Sequence, residues 1–151
     1  MLLEKNPNID LCNNIGCSPL YNASQNEHTD IVRWLLKANT NVNICNTDGC
    51  SSLLCASYEG NTDIVRLLLE KTPNVDLCNT DGCSPLYMAS QNGHTNIVKL
   101  LLEKNPKIDL RNIDGCSPLY IASQNEYTDI VRLLLGKYFQ VDLCNNDGCS
   151  S

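Results

Sequence analysis

A glycine recurs every 33 residues along this chain of 151 residues. The flanking residues repeat with it: GCSPLY or GCSSLL begins at the first four glycines, ASQN or ASYE follows, and Ile-Val comes after that. A fixed period of this length is typical of solenoids, in which each unit packs only against its neighbours. The period predicts one array over residues 1–151, with glycines at Gly16, Gly49, Gly82, Gly115 and Gly148, complete units 14–46, 47–79, 80–112 and 113–145, and partial units 1–13 and 146–151.

Each unit contains the start and stop signals of two short helices. Ser84 before Pro85 favours a helix start, because the hydroxyl accepts a free backbone N–H and proline loses no hydrogen bond there. Thr95 is expected to cap the second helix, and Asn105 to end it in a left-handed conformation. The segment KIDLRNIDG then alternates apolar and polar residues into a glycine turn, which predicts an extended, β-hairpin-like finger.

These helices are shorter than the roughly 12–15 residues at which an isolated helix becomes marginally stable in water. The units must therefore stack and share apolar faces, which predicts an all-α repeat solenoid. Trp34 occupies a position that is leucine in the other units, so we expect it to be buried in the stack. The other expected core residues are those of the third unit and their equivalents: Leu86, Ala89, Ile97, Val98, Leu100, Leu101, Leu102 and Ile108.

The stretch DGCSPLYMASQNGHTNIVKLLLEKNPKIDL resembles the ankyrin repeat, and the resemblance extends over essentially the whole chain. Serine stands where the family has threonine before proline, and Tyr21, Leu54, Tyr87 and Tyr120 stand where it has histidine. The resemblance implies a stack of helix-turn-helix units that binds a protein partner on its concave side, which is built from finger tips and first helices.

Charge and hydropathy exclude several other classes of function. The net charge is −6 and no run of basic residues occurs, which argues against nucleic acid or an anionic membrane as partner. No apolar stretch approaches the roughly 20 residues that a membrane span needs, and the N-terminal MLLEKNPN lacks the pattern of a signal peptide. We therefore expect a cytoplasmic protein.

The two histidines do not indicate catalysis. His28 and His94 share one position of the repeat, which Asn61 and Tyr127 fill in the other units. A role that asparagine and tyrosine can take is structural, and we expect a hydrogen bond in the loop between the two helices of a unit. No catalytic or phosphate-binding motif occurs apart from the repeat. The sequence predicts no enzyme activity and no cofactor.

Most of the ten cysteines flank the predicted turns with a C-x4-C spacing, and Cys55 lies on a helix. The spacing lies within the range of zinc ligands, but histidine partners are missing. Fingers about 10 Å apart, the spacing of stacked helices, would be too distant for disulfides between units. We expect reduced thiols and no metal, with a bridge within a finger and zinc binding as alternatives. The pairs are Cys12 and Cys17, Cys45 and Cys50, Cys78 and Cys83, and Cys144 and Cys149, with Arg111 and Cys116 as the exception.

The resemblance maps candidate partner contacts onto the finger tips and the ends of the first helices. These are Ile15, Asp48, Tyr58, Glu59, Asp81, Gln91, Asn92, Arg111, Ile113, Asp114, Gln124 and Asn125. Specificity is expected where the units differ, at Ile15, Trp34, Tyr58, Arg111 and Ile113. Because the units differ so little, a structural spacer without a specific partner is the alternative function, and a metal or redox module built on the cysteines is a third.

Two further expectations concern Asn43 and the ends of the array. The segment LLKANTNVN resembles ankyrin segments that asparagine hydroxylases modify, with Asn43 as the target position, although asparagine is also simply a good turn residue. Neither end of the chain shows a polar capping unit, so we expect a segment of a longer array and end-to-end self-association through uncapped ends.

Overall fold

The computed structural model describes residues 7–146, with side chains as far as Gln140, and contains eight helices in that range. The predicted partial unit 1–13 lies only partly within the described residues, and 147–151 lie outside them. The helices are α1 Pro19–Gln25, α2 Thr29–Lys37, α3 Ser52–Glu59, α4 Thr62–Leu69, α5 Pro85–Gln91, α6 Thr95–Leu102, α7 Pro118–Gln124 and α8 Thr128–Asn146. The expectation of an all-α repeat stack is confirmed.

The first helix of each unit begins as the sequence predicts. The Ser84 hydroxyl accepts the backbone N–H of Tyr87, and Pro85 occupies the first turn of α5. The other three units repeat this bond with Ser18, Ser51 and Ser117. Removing such a cap costs about 1 kcal/mol of helix stability. The serine before each first helix therefore fixes where the chain leaves the finger.

The second helices begin one residue earlier than predicted. Thr95 is the first helical residue of α6, and His94 precedes it as the capping residue without a capping hydrogen bond from its side chain. The prediction that threonine caps this helix is wrong, because Thr95 is itself the first helical residue and the cap position falls on the residue before it. Asn105 ends the helix region with a φ of 51°, which confirms the left-handed stop.

The helices form two rows. The first helices pack in the order α1, α3, α5, α7, and the second helices pack behind them as α2, α4, α6, α8. One apolar core runs between the rows, and it contains all eight expected side chains of the third unit, with Leu100 only partly buried. Because the core is continuous from Leu20 to Leu134, no unit encloses a core of its own.

The fingers are stacked turns rather than strand hairpins. Cys45 and Ser51 form an isolated antiparallel bridge, and no longer strand occurs in residues 7–146. Successive tips touch through the backbone: the Thr47 N–H donates to the Ile15 carbonyl at 3.0 Å. The same bond joins Thr80 to Asp48 and Ile113 to Asp81. The expected 10 Å gap between fingers is therefore wrong at the tips, because direct backbone hydrogen bonds join successive tips there.

The fourth unit departs from the predicted secondary structure. α8 continues as one helix of 19 residues to Asn146, through the place where the other units form a finger. In the third unit Asn105 adopts positive φ and Pro106 follows, whereas Tyr138 and Phe139 stand at the equivalent positions. Neither residue can stop a helix as Asn-Pro does, so the helix continues.

Trp34 is not buried. Its side chain is 65% exposed on α2, which contradicts the expectation from its leucine equivalents. Leu67, Leu100 and Leu133 are themselves only partly buried at this position. The position therefore lies at the edge of the core, and the larger indole projects into solvent.

Candidate interaction surface

The finger tips are built on an asparagine that sequence reasoning missed. The Asn79 side-chain oxygen accepts the backbone N–H of Asp81 at 3.1 Å and that of Cys83 at 2.9 Å, which holds the turn around Gly82. Its side-chain nitrogen lies against the Cys50 thiol of the preceding finger. The signal was present in the sequence, because the same residue recurs with the period at Asn13, Asn46, Asn79 and Asn112.

A second set of side chains joins neighbouring fingers at their bases, between the end of the second helix and the tip. The Asp10 carboxylate accepts the Asn41 backbone N–H at 3.2 Å, and the Asp76 carboxylate accepts that of Lys107 at 2.9 Å. The Asn43 side-chain oxygen does the same for the Asn74 N–H at 2.8 Å. Asn43 therefore acts as a connector between fingers, and its hydroxylation stays a prediction.

The polar residue before each second helix also connects units. His94 Nε2 lies 3.0 Å from the Tyr58 carbonyl oxygen, and Asn61 donates to the Ser24 carbonyl at 2.8 Å. The expected structural role is thus present at His94, but the bond joins two units rather than the two helices of one unit. Asn61 fills the same position with the same kind of bond, which explains why the two residue types interchange.

All twelve candidate contact residues are at least partly exposed, and two of them also hold the stack together. Asn92 donates to the Tyr58 carbonyl at 3.1 Å, and Asn125 donates to the Gln91 carbonyl at 3.0 Å. Their side-chain nitrogens are occupied by neighbouring units, which leaves Tyr58, 49% exposed, as the largest free side chain in this row.

Ile15 and Ile113 expose apolar side chains at the first and fourth tips, with exposed fractions of 57% and 71%. Between them the tips present the carboxylates of Asp48 and Asp81, and Asp114 follows Ile113. The ion pairs of residues 7–140 lie elsewhere, on the second helices, where Arg33, Arg66 and Arg132 each contact the aspartate three residues before them. The tip surface is therefore acidic, with Arg111 as a basic residue at its edge.

Thiols and tyrosines pack where the tips meet the first helices. Cys83 and Tyr87 are buried against Ile121, with Met88 and Cys116 beside them. Burial raises the pKa of Cys83 to about 11. In the first two units burial likewise raises the pKa of Cys55 to about 11, and the Tyr21 hydroxyl lies against that thiol. These cysteines behave as small apolar side chains and hold their protons at neutral pH.

No disulfide joins the described cysteines, and their reduced state stays a prediction. Among the described residues no group of three or more histidine, cysteine, aspartate or glutamate side chains is close enough together to hold a metal ion. Cys144 and Cys149, the last predicted pair, lie outside the described side chains.

We expect Cys55 of the folded chain to react with iodoacetamide at neutral pH about 100-fold more slowly than in urea. A pKa of about 11 instead of 9 lowers the thiolate fraction by about that factor, and burial adds to the protection. Because the folded-state pKa is raised, the contribution of this thiol to stability is complete below pH 9 and is lost as the pH rises toward 11. Timed alkylation followed by peptide mass mapping measures the rate.

The exposed Cys12 serves as the internal control for the reagent, since it is accessible in both states. Equal rates for Cys55 in folded and unfolded chains would contradict its burial.

No helix within residues 7–146 is long and apolar enough to cross a membrane. Comparison with family models gives a match to ankyrin repeats (3 copies), over residues 1–77 and 71–147. Comparison with curated proteins gives no match.

Proposed function

Because the chain belongs to the ankyrin repeat family, whose repeats generally mediate protein–protein interactions, we propose that it is a non-catalytic scaffold. It holds a protein partner on the surface formed by its finger tips and first helices. The proposal places the chain in the cytoplasm, with no nucleic acid, membrane or cofactor among its partners.

The observation that carries this proposal is the backbone bonding between tips. Each tip is held by its own asparagine, and the second, third and fourth tips also donate an N–H to a carbonyl of the preceding tip. The exposed tip side chains are therefore fixed relative to one another before a partner arrives. A preorganised surface loses less conformational entropy on binding, which favours affinity.

Charge indicates the chemistry of the partner. Asp48, Asp81 and Asp114 face solvent in a row without ion-pair partners among residues 7–140, and Glu59 adds to the same surface. A partner with basic side chains would complement this row, and its association rate would fall with added salt. Tyr58 supplies the kind of exposed aromatic anchor that dominates binding energy at protein interfaces.

We expect the double variant Tyr58→Ala, Arg111→Ala to bind a partner isolated from the source lysate at least tenfold more weakly than the wild type. Tyrosine and arginine are the residue types enriched among binding hot spots, and both side chains are exposed. Isothermal titration calorimetry measures the affinity. The matched control is Phe139→Ala, Arg132→Ala, which removes an exposed aromatic and an arginine from α8. Unchanged affinity in the first double variant would refute the assigned surface.

A structural spacer is the second candidate, and one observation favours it. The tips of the second and third units are both NTDGC, and both make the same hydrogen bonds. A surface that repeats without change offers a partner little to distinguish one unit from the next. The absence of saturable binding to any lysate protein would support the spacer over the scaffold. The raised pKa of Cys55 and Cys83 weighs against a redox module.

A further inference from the structure

Aromatic rings fill the loop region between units at two of the junctions in the stack. Between the second and third units the His94 ring lies against Gly60, so a Cβ added to this glycine would come within 2.6 Å of the ring. Between the third and fourth units the Tyr127 ring lies in the same way against Gly93, and a Cβ there would come within 2.8 Å. Each ring therefore packs where the preceding unit has no side chain.

The junction between the first and second units has the opposite combination of residues. Glu27 stands where the other junctions have glycine, and Asn61 stands where they have a ring. A ring at position 61 would overlap with the Cβ of Glu27, and the shorter Asn61 avoids this overlap. A pocket of about 330 Å³ opens here, within the size range of small-ligand sites. We call it the first-junction pocket, and its lining includes Glu27, Thr29, Asn61, Thr62 and Asp63.

Asn61 brings an unpaired hydrogen-bond acceptor to this pocket. The residue is only 7% exposed, and its Nδ2 donates to the Ser24 carbonyl at 2.8 Å. Its Oδ1 is buried and has no hydrogen-bond partner among the described residues. A buried acceptor without a partner is costly, so a bound N–H donor would stabilise it.

A backbone carbonyl at the same junction also lacks a donor. Between the second and third units the Tyr58 carbonyl accepts from Asn92 Nδ2 at 3.1 Å and lies 3.0 Å from His94 Nε2. The equivalent carbonyl of the first unit, that of Gln25, accepts no hydrogen bond from the described residues. One reason is that Glu59 stands in place of Asn92, and a carboxylate has no N–H to donate. The junction therefore has a second free acceptor.

The charge at the pocket is negative. Glu27 forms no ion pair among residues 7–140, whereas Asp63 is paired with Arg66 at 3.0 Å. The N–H groups at the start of α4 are polarised positive, but Asp63 lies in that first turn and balances them. The Glu27 carboxylate therefore remains as the uncompensated charge of the pocket.

We propose that the first-junction pocket binds the guanidinium group of an arginine side chain on a protein partner. A guanidinium is planar like the rings of the other junctions, is always charged, and carries five N–H donors. The acceptors open to it are the Glu27 carboxylate, Asn61 Oδ1 and the Gln25 carbonyl. The partner rests on the proposed function, but the binding of the group itself does not. A blocked arginine derivative therefore tests the pocket separately from the finger tips, and either proposal can fail without the other.

The first arm of the test compares three probes. The isotope-labelled chain is titrated with Nα-acetyl-arginine N-methylamide at constant ionic strength, and its backbone amide resonances are followed by NMR. We expect saturable shifts at Gly60, Thr62 and their neighbours. The citrulline derivative has the same shape without the charge, and the lysine derivative has the charge without the planar group, so both should bind more weakly. The absence of saturable shifts with the arginine derivative, or equal binding of either other probe, would overturn the proposal.

The second arm changes the pocket. Glu27→Gly combined with Asn61→His copies the pair Gly60 and His94 of the next junction, so the ring should fill the pocket and abolish the shifts. Circular dichroism checks that this variant folds. Glu27→Gln keeps the shape of the pocket and removes its charge, so it should weaken binding. Glu70→Gln, at the other end of α4, is the matched control and should bind like the wild type.

Persistent binding in the folded double variant would place the probe elsewhere and overturn the proposal. Unchanged affinity in Glu27→Gln would do the same, and this result does not depend on the folding of the double variant.

Discussion

Replacing Gly82 by alanine is expected to lower the free energy of unfolding by about 2–5 kcal/mol. Gly82 has a φ of 76°, a conformation that costs an alanine about 1–2 kcal/mol. The added Cβ would also lie 3.1 Å from the Asn112 Cα and 3.2 Å from the Arg111 carbonyl oxygen of the next finger. A hydrogen bond from the Ile113 N–H to the Asp81 carbonyl holds that backbone, so moving it aside would break this bond. The steric overlap therefore adds about 1–3 kcal/mol to the conformational cost.

Gly115→Ala is the matched control for this substitution. Gly115 has a similar φ of 81°, but a Cβ there meets no atom of the described residues within 4 Å. We expect this variant to lose only the conformational contribution of about 1–2 kcal/mol. Chemical denaturation followed by circular dichroism measures both. Equal losses in the two variants would mean that close approach between fingers contributes nothing to stability.

The period of the sequence was sufficient to predict the stack, because every unit carries the same helix signals and the same apolar positions. It could not predict α8, since the length of that helix depends on a missing stop at Tyr138 and Phe139 rather than on a pattern that is present. It also misplaced Trp34, because residue type does not reveal that the position lies at the edge of the core.

The sequence predicted which residues would be exposed, but it missed the hydrogen bonds that some of them make, and their role as a binding surface stays a prediction. The tips and first-helix ends are exposed as expected, yet Asn92 and Asn125 are used to join units. A single unit read from sequence shows a free amide at these positions, and only the neighbouring helix end supplies its acceptor. The close approach of the tips was also missed. The spacing of the stacked helices sets the distance between successive fingers at their bases, but it does not set the distance between their tips.

Leu101→Ala is the second substitution with a large expected effect, a loss of about 2–5 kcal/mol in the free energy of unfolding. Leu101 is fully buried in α6, in the third unit, and its core neighbours belong to a cluster that spans all four units. Alanine would leave a cavity that the short helices close only partly. Leu11→Ala, at a leucine that is 69% exposed on a finger, is the control and should lose less than about 0.5 kcal/mol.

The repeat architecture adds a second consequence of Leu101→Ala. The stability of a stack is the sum of the stabilities of its units and of the interfaces between neighbouring units. A destabilised third unit therefore also destabilises the interface with the fourth unit. α7 packs on α5, and α8 packs on α6 and α7, so both helices depend on this junction. Amide hydrogen exchange should therefore show faster exchange in α7 and α8 than in α1 and α2 of the variant. Uniformly faster exchange in all eight helices would instead indicate that the array unfolds as a single cooperative unit, with no junction at which it divides.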